Sequence, residues 1–411
     1  MVHKDTPYSC FRIVTFSILL ILAFSFLVFE VVKSSDSYGY GSMGTGDFIQ
    51  YWSSGQLFIS GDNPYDCEKG GELQVKIGRV SDRPLIMLNP PWVLIWIYPL
   101  LHLPFAKASL IWLVINLSLI FLSGAAIWYI INNQYAWRRI LITPLFLLLF
   151  PPVFFSTLSG QISSLVLFGI VGFLFFITRD RPFLAGLFLA LATIKPHIVY
   201  LLWIAVVYSM IKERNWRLFA GFNVMVGASV SILMILSPNC IFYYMEHLSR
   251  HPPYSEWYTP TIGGLLYMLL GKDWSSVVCL PPIIASIIFF GFLFFREEKR
   301  FDWITMISPI LLISLPTSVY GGWTSDMIIL LIPYLSILSK LFGEGSAVRG
   351  RGLSIILCLL FISAGMILEY KMRIPEPFFI WVPLTLAILY YATNAASSGW
   401  EQKQLDCIVY K

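Results

Sequence analysis

Six ionisable side chains lie inside or directly beside long apolar runs of the sequence. They are Asp47, Lys195, His197, Arg250, His251 and Asp326. Ionisable groups in such places are costly to bury and usually serve a function. A carboxylate there can take a proton from a hydroxyl group, and lysine, arginine and histidine can bind an anion. The six residues are therefore candidates for a general base and an anion-binding group.

Each candidate also has a purely structural interpretation. Asp47 precedes an amphipathic stretch and suits the N-cap position of a helix, and Asp326 stands in the same way before a later apolar run. A proline follows Lys195, which can therefore be a lysine at a kinked helix end whose ammonium reaches the membrane surface. The pair at 250–251 alone is typical of a solvated loop. The residues themselves leave both interpretations open.

The composition indicates the class of protein that must position these residues. Of 411 residues, 57% are hydrophobic and only 12% are charged, whereas soluble domains carry about 25% charged residues. The net charge of +5 comes from short basic clusters between apolar runs, which is typical of topology determinants and does not indicate a nucleic-acid partner. We predict an all-α integral membrane protein whose residues 1–411 form a single polytopic domain.

The apolar runs predict roughly twelve transmembrane helices. The predicted spans are 12–32, 107–131, 140–156, 161–178, 183–194, 197–211, 217–236, 277–295, 303–316, 326–341, 352–369 and 377–394. Every strongly basic linker then lies on the side of the N-terminus, so the positive-inside rule places both termini in the cytoplasm of a plasma or inner membrane. The long outer loops are 33–106 and 237–276, and all six candidate residues lie at the outer or periplasmic face. Cys67 and Cys240 in these loops can form a disulfide or remain thiols.

The segment 90–104 is apolar enough to span but is not counted as a span. It is short and contains several prolines, which interrupt a helix. Counting it would reverse the orientation of every later helix and place the basic linkers outside. We predict a re-entrant or surface-lying helix at the outer face.

Short motifs follow one another in a fixed order from Asp47 to about Pro333. They are Gly46-Asp47-Phe48-Ile49-Gln50-Tyr51-Trp52, Asn63-Pro64-Tyr65-Asp66, Asn89-Pro90-Pro91, Gly160-Gln161, Leu184-Ala185-Gly186-Leu187, Lys195-Pro196 and Asn215-Trp216-Arg217. In their order and spacing they resemble the polyprenyl-phosphate-sugar-dependent glycosyltransferases of the GT-C superfamily. The resemblance is to glycosyltransferase family 87, which includes α-1,2-mannosyltransferases that extend phosphatidylinositol mannosides. It implies a GT-C-type helical bundle over most of the chain.

The resemblance also implies roles for the candidate residues. GT-C enzymes use an acidic residue of the first outer loop as general base, and Asp47 stands there. The residues expected to bind the donor phosphate are Lys195, His197, Arg250 and His251. The residues expected to bind substrate are Tyr51, Trp52, Asn89, Gln161 and Asp326. The family often has a histidine near 324–326, and this chain has none there, so Asp326 is expected to replace it or the role is lost.

The implied reaction moves mannose or another hexose from a polyprenyl-phosphate donor to a glycolipid or glycan acceptor, with inversion and without a metal or other cofactor. Two other classes stay open. A secondary transporter also uses broken helices and intramembrane charges, but it should place the charges near the midplane and show repeat symmetry. A lipid-glycan ligase or flippase would handle similar lipids without its own sugar-transfer step.

Overall fold

The computed structural model describes residues 46–79, 84–132, 146–147, 149–250, 258–296, 300–342 and 352–409. All regular secondary structure in these ranges is helical, as the composition predicts. The α-helices are α1 (Phe48–Ile59), α2 (Cys67–Lys76), α3 (Val93–Trp96), α4 (Tyr98–Leu101), α5 (Phe105–Asn132), α6 (Pro151–Ser159), α7 (Ser163–Ile177), α8 (Pro182–Leu189), α9 (Tyr200–Lys212), α10 (Trp216–Leu236), α11 (Cys240–Arg250), α12 (Ile262–Leu270), α13 (Leu280–Phe294), α14 (Trp303–Thr317), α15 (Leu331–Phe342), α16 (Gly352–Lys371) and α17 (Trp381–Val409). Short 3₁₀ segments stand at Ala190–Ile194, Pro196–Val199, Lys272–Cys279, Asp326–Leu330 and Glu376–Ile380.

Several helices are long and apolar enough to cross a membrane. In the described residues these candidate spans are Phe105–Ile131, Trp216–Leu236, Asp273–Phe294, Gly352–Lys371 and Glu376–Ala395. Shorter apolar helices are Ser163–Ile177, Pro182–Ile194 and Trp303–Thr317. Large aliphatic side chains such as Ile235 and Ile388 are 80% and 69% exposed on these helices, which suits contact with lipid tails. The chain is a membrane protein, as predicted.

Most described helices begin and end close to the predicted spans, although several are shorter than a full span. The helix α17 differs, because it continues to Val409, beyond the predicted end at 394. The predicted span 12–32 and the first residues of 140–156 lie outside the described residues. The count of twelve spans and the GT-C arrangement therefore stay predictions. Cys67 and Cys240 are not joined by a disulfide.

The segment 90–104 contains no helix long enough to cross a membrane. It forms two helices of one turn each, α3 and α4, which meet at Ile97. Pro99 lies in the first turn of α4 and has no N–H group with which to continue the ladder from α3. Val93, Leu94 and Ile97 are at most 1% exposed. This burial favours a re-entrant segment packed between helices over one that lies on the surface.

The most deeply buried element is the 3₁₀ segment Asp326–Leu330 together with α15, which continues it. Residues 327–331 are all 0% exposed. The helix α7 packs both against this element and against the 3₁₀ segment Ala190–Ile194. After that segment the backbone leaves helical geometry at Lys195, at φ −135° and ψ 68°, because the ring of Pro196 disfavours a helical conformation of the residue before it. The two interruptions bring Lys195 and Asp326 to the first turn of α7.

Two glycines allow α8 and α10 to pack at backbone contact. A Cβ atom on Gly221 would lie 2.0 Å from the carbonyl oxygen of Phe183, and one on Gly186 would lie 2.2 Å from the carbonyl oxygen of Leu218. Small residues at the interface of two membrane helices permit this close approach. The contact holds α8, whose end leads directly to the interruption at Lys195.

We expect Gly221→Val to lower the melting temperature of the detergent-solubilised protein by at least a few degrees. The added side chain would overlap backbone atoms of α8, and overpacking typically costs about 1–3 kcal/mol. Gly227→Val is the matched control on the same helix, because a Cβ atom there meets nothing within 4 Å. Equal melting temperatures for the two variants would contradict the close packing of α8 and α10.

Candidate active site

Asp47, Gln161 and Tyr51 form a chain of hydrogen bonds. Gln161 Nε2 donates to Asp47 Oδ2 over 2.9 Å. Gln161 Oε1 accepts from the Tyr51 hydroxyl over 2.5 Å and from the N–H of Ile162 over 2.9 Å. These two donors determine which end of the amide faces the carboxylate. Two residues predicted to bind substrate, Gln161 and Tyr51, thus orient the predicted base.

A glycine turn brings this chain of hydrogen bonds together. The helix α6 ends at Ser159, and Gly160 adopts a left-handed backbone with φ 65°, which glycine tolerates without strain. The carbonyl of Ser159 accepts the N–H of Asp47 over 2.5 Å. Trp112 Nε1 donates to the carbonyl of Gly160 over 2.8 Å. The turn therefore fixes the backbone of Asp47 next to the side chain of Gln161.

The carboxylate of Asp47 does not cap α1, although the residue occupies the N-cap position. No helix N–H group donates to its side chain. Asp66 shows the contrasting case, because its Oδ1 accepts the N–H groups of Glu68 and Lys69 at the start of α2. The capping interpretation is therefore wrong for Asp47, and its carboxylate is available for another task.

A second polar cluster joins Lys195 and Asp326. Lys195 Nζ lies 2.6 Å from Asp326 Oδ1, and the hydroxyl of Ser163 donates to the same oxygen. The lysine and aspartate side chains are only 8% and 1% exposed. This burial contradicts the interpretation of Lys195 as a lysine that reaches the surface, and the contacts of Asp326 contradict its interpretation as a cap. Asp326 Oδ2 is buried and has no hydrogen-bond partner in the described part of the chain.

The charges of the two clusters act on each other, so they belong to one site. Burial raises the pKa of Asp47 from 3.8 to about 6, because water no longer solvates the carboxylate. The charge of Lys195 lowers this pKa, that of Asp326 raises it, and that of Arg79 lowers it. A carboxyl group with a pKa near 6 is mostly ionised at neutral pH and is a stronger base than a solvated aspartate.

Asn89 and Trp52, which were predicted to bind substrate, are bonded to the protein itself. Asn89 Nδ2 donates to the carbonyl of Ile194 over 3.0 Å. Trp52 Nε1 donates to the carbonyl of Leu103 over 3.0 Å. Asn89 therefore ties the segment 90–104 to the 3₁₀ turn that ends at Ile194. The predicted contact of these two side chains with substrate stays a prediction.

Among the residues predicted to bind the donor phosphate, His197 lies beside the buried ion pair. The charges of Asp326 and Lys195 both act on its imidazole. Its ring stacks on Tyr320 with 4.0 Å between centroids and an angle of 17°. A Cβ atom on Gly321 would lie 2.8 Å from His197 Nε2, so glycine leaves room for the imidazole. His197 and Lys195 thus lie at the same break in the helix, and their contact with a phosphate stays a prediction.

Arg250 ends α11 and is 70% exposed on its side chain. Its guanidinium lies 2.6 Å from the carboxylate of Glu246, one turn earlier. The inner face of α11 packs on the turn before α2, where the ring of Tyr65 lies 5.4 Å from that of Tyr244. His251 lies outside the described residues. The structure places Arg250 in a surface ion pair, and its contact with a phosphate stays a prediction.

Glu376 is a further carboxylate of the site that the sequence analysis did not single out. It accepts the N–H of Thr324 over 3.3 Å and the hydroxyl of Thr324 over 3.2 Å. The negative charges of Asp326 and Asp47 act on it. An acidic residue next to the predicted span 377–394 is the same signal that marked Asp326, so this residue could have been found. Arg79 was missed because it lies in a loop without a motif.

Residues 88–315 match glycosyltransferase family 87, which is more than half of the 411 residues. The chain belongs to glycosyltransferase family 87. It is therefore a membrane glycosyltransferase with a sugar donor and an acceptor as substrates, and the resemblance seen in the motifs is confirmed. No curated protein and no solved structure matches the chain.

The carboxylates of this family 87 glycosyltransferase lie outside the matched segment. The match includes Gln161 and Lys195. Asp47 precedes it, whereas Asp326 and Glu376 follow it. The matched segment thus supplies the amide and the ammonium group of the site, and the chain before and after it supplies the acids.

We expect Lys195→Met to destabilise the protein by about 3–5 kcal/mol, because it leaves the carboxylate of Asp326 buried without its counter-charge. The double variant Lys195→Met/Asp326→Leu removes both charges and should recover most of this loss. Melting temperatures in detergent measure both effects. A double variant as unstable as the single variant would contradict the view that the loss arises from an uncompensated buried charge.

Proposed function

We propose that this glycosyltransferase moves a hexose, mannose by the family resemblance, from a polyprenyl-phosphate sugar to a hydroxyl group of a glycolipid or glycan acceptor, with inversion. The observation that carries the proposal is the carboxylate of Asp47. It is half-buried, it is oriented by a single amide, and it does not cap the helix that it precedes. An inverting glycosyltransferase needs a carboxylate that is held in place and is not used as a helix cap, so that it can receive the proton of the acceptor hydroxyl group.

The proposed step forms one bond and breaks one bond at the anomeric carbon of the donor. The acceptor oxygen attacks this carbon while its proton passes to Asp47. The bond between the anomeric carbon and the phosphate oxygen breaks, and polyprenyl phosphate leaves with the electron pair. Asp47 returns the proton to water afterwards. The logic is that of the base in an inverting glycosidase, with the acceptor hydroxyl in the place of water.

The leaving phosphate carries charge and requires cationic contacts. We assign the buried positive charge to Lys195 and a neutral imidazole N–H donor to His197 beside it, with Arg250 and His251 as further contacts from the second outer loop. The positive charge of Lys195 is compensated by the carboxylate of Asp326, because Nζ lies 2.6 Å from Oδ1. This partner keeps the ammonium charged and buried until a phosphate shares it.

In the proposed topology both termini are cytoplasmic, about twelve helices span a plasma or inner membrane, and the site faces the outside or the periplasm. The support is that the described helices follow the predicted spans. Cysteine labelling at Ser81 and Asn215 tests this arrangement, because the two positions should react from opposite sides of the membrane.

The activity is tested with purified protein, a labelled polyprenyl-phosphate mannose and a membrane glycolipid extract. The proposed function expects a labelled glycolipid and free polyprenyl phosphate in equal amounts. A transporter or flippase would move the lipid and leave the sugar-phosphate bond intact. A ligase without a sugar-transfer step would also leave this donor intact.

Asp47→Asn is expected to lower kcat by about 10²–10⁴, the usual effect of removing a general base. Asparagine keeps the shape of the side chain and can still accept the hydrogen bond of Gln161, so folding and donor binding should be normal. Asp66→Asn is the matched control, since Asp66 is a true helix cap and asparagine caps as well as aspartate. A correctly folded Asp47→Asn protein with normal turnover would refute the assignment and make Asp326 the next candidate.

The pKa of Asp47, raised to about 6, predicts the pH dependence. The base acts when deprotonated, so kcat/KM should fall about tenfold for each pH unit below 6 and stay constant above it. Because Arg79 lowers this pKa, Arg79→Gln should move the fall to higher pH. Initial rates between pH 4.5 and 8 measure both curves. A fall centred near pH 4 would show a solvated base in place of Asp47.

A further inference from the structure

Glu376 forms part of the wall of the site, although it lies close to the last helix. It opens the 3₁₀ turn Glu376–Ile380 that leads into α17. Its two oxygens accept hydrogen bonds from the N–H and the hydroxyl of Thr324, two residues before Asp326. It is half-buried, and the charges of Asp326 and Asp47 act on it. The carboxylate is therefore held at the site and is not turned towards bulk solvent.

The contacts of Glu376 do not explain why this residue carries a charge. Asp326 has the ammonium of Lys195, and Asp47 has the amide of Gln161. Within the described ranges, no lysine, arginine or histidine pairs with Glu376. Thr324 is a neutral partner at 3.2 and 3.3 Å. A glutamine could meet it without a charge, because its oxygen can accept the N–H and its NH2 can donate to the hydroxyl oxygen. Burial and two neighbouring carboxylates make a carboxyl group unfavourable at this position, so binding of a ligand explains its presence better than the contacts with Thr324 do.

The chemistry of the site selects the kind of group that Glu376 binds. An anion such as the donor phosphate would be repelled by the carboxylate. No group of three or more His, Cys, Asp or Glu side chains in the described residues is arranged to hold a metal ion. A neutral ligand with several O–H donors suits a carboxylate best, because hydrogen bonds to an ionised acceptor are about twice as strong as those between neutral groups. Sugar hydroxyl groups meet this requirement.

A second observation concerns Asp326, whose charge acts on Glu376. Asp326 Oδ2 is buried and has no hydrogen-bond partner in the described residues. Buried carboxylate oxygens normally have one, and each exception calls for an explanation. Glu376 binds Thr324, and Thr324 stands two residues before Asp326 in the chain. The described residues thus supply no donor for one carboxylate oxygen of the site, Asp326 Oδ2.

We propose that Glu376 binds a sugar hydroxyl group of a substrate next to the reacting centre. This inference rests on the proposed function, because it takes a sugar-bearing substrate for granted. The hydroxyl can belong to the hexose of the donor or to the acceptor. In either case Glu376 contributes to substrate recognition, and Asp47 remains the group that receives the proton.

Glu376→Gln is the test variant, because it removes the charge and can still contact Thr324, with the amide oxygen accepting the N–H and the amide NH2 donating to the hydroxyl oxygen. Glu369→Gln is the matched control. Glu369 also accepts from a neutral donor at the start of α17, Trp381 Nε1 at 2.9 and 3.0 Å. We expect Glu376→Gln to raise one KM by about tenfold or more, the usual effect of losing a hydrogen bond to a charged group. The melting temperature of both variants and the KM values of Glu369→Gln should be those of the wild type.

Three measurements identify the source of the hydroxyl. If it belongs to the acceptor, the acceptor KM rises and the slow hydrolysis of the donor by water is unchanged. If it belongs to the hexose of the donor, the KM of the donor rises in both transfer and hydrolysis. A deoxygenated substrate that lacks the bound hydroxyl should be used equally by the wild type and by Glu376→Gln.

Two results would overturn the proposal. Unchanged KM values for donor and acceptor would remove the role in recognition. A loss of activity accompanied by a lower melting temperature, at unchanged KM, would show that Glu376 only holds Thr324. If the wild type transfers no sugar from a polyprenyl phosphate, the proposed function fails first. Stabilisation by octyl mannoside then tests Glu376 without turnover, and equal melting shifts in the wild type and Glu376→Gln would overturn the inference.

Discussion

The ion pair between Lys195 and Asp326 is the interaction on which the rest of the site depends. Two charges at 8% and 1% exposure are tolerated only when they lie close together and further hydrogen bonds satisfy them. Ser163 supplies one of these bonds at the start of α7. The pair therefore requires the turn before Pro196, the first turn of α7 and the segment before α15 to meet at one point of the core.

The excess of negative charge around this pair determines what the site can bind. Three carboxylates, those of Asp47, Asp326 and Glu376, share a region with the buried ammonium of Lys195 and the charge of Arg79. Their mutual repulsion and burial weaken the ionised form of Asp47, and this makes it a better proton acceptor. Under the proposed function, a phosphate would bind on the side of Lys195 and a sugar hydroxyl group on the side of Glu376.

The membrane helices and the choice of Asp47, Lys195 and Asp326 as candidate residues followed from the sequence because their signals are local. An apolar run of about 20 residues predicts a helix wherever it stands, and a charge beside such a run is conspicuous. Glu376 carried the same signal and was overlooked, because it belongs to no motif. The capping alternatives for Asp47 and Asp326 could not be rejected from sequence, since a true cap such as Asp66 occupies the same position before its helix.

The sequence by itself determined the class of protein, the approximate limits of its helices and the family, because hydropathy and motif order are properties of consecutive residues. Only the tertiary structure decided which polar groups meet. Asp47 and Gln161 are 114 positions apart, and Lys195 and Asp326 are 131 positions apart. A hydrogen bond or ion pair forms only within about 3 Å, and no local pattern reports a distance between residues so far apart. Those distances are set by the packing of helices through Gly186 and Gly221. They are also set by the interruptions at Lys195 and Asp326.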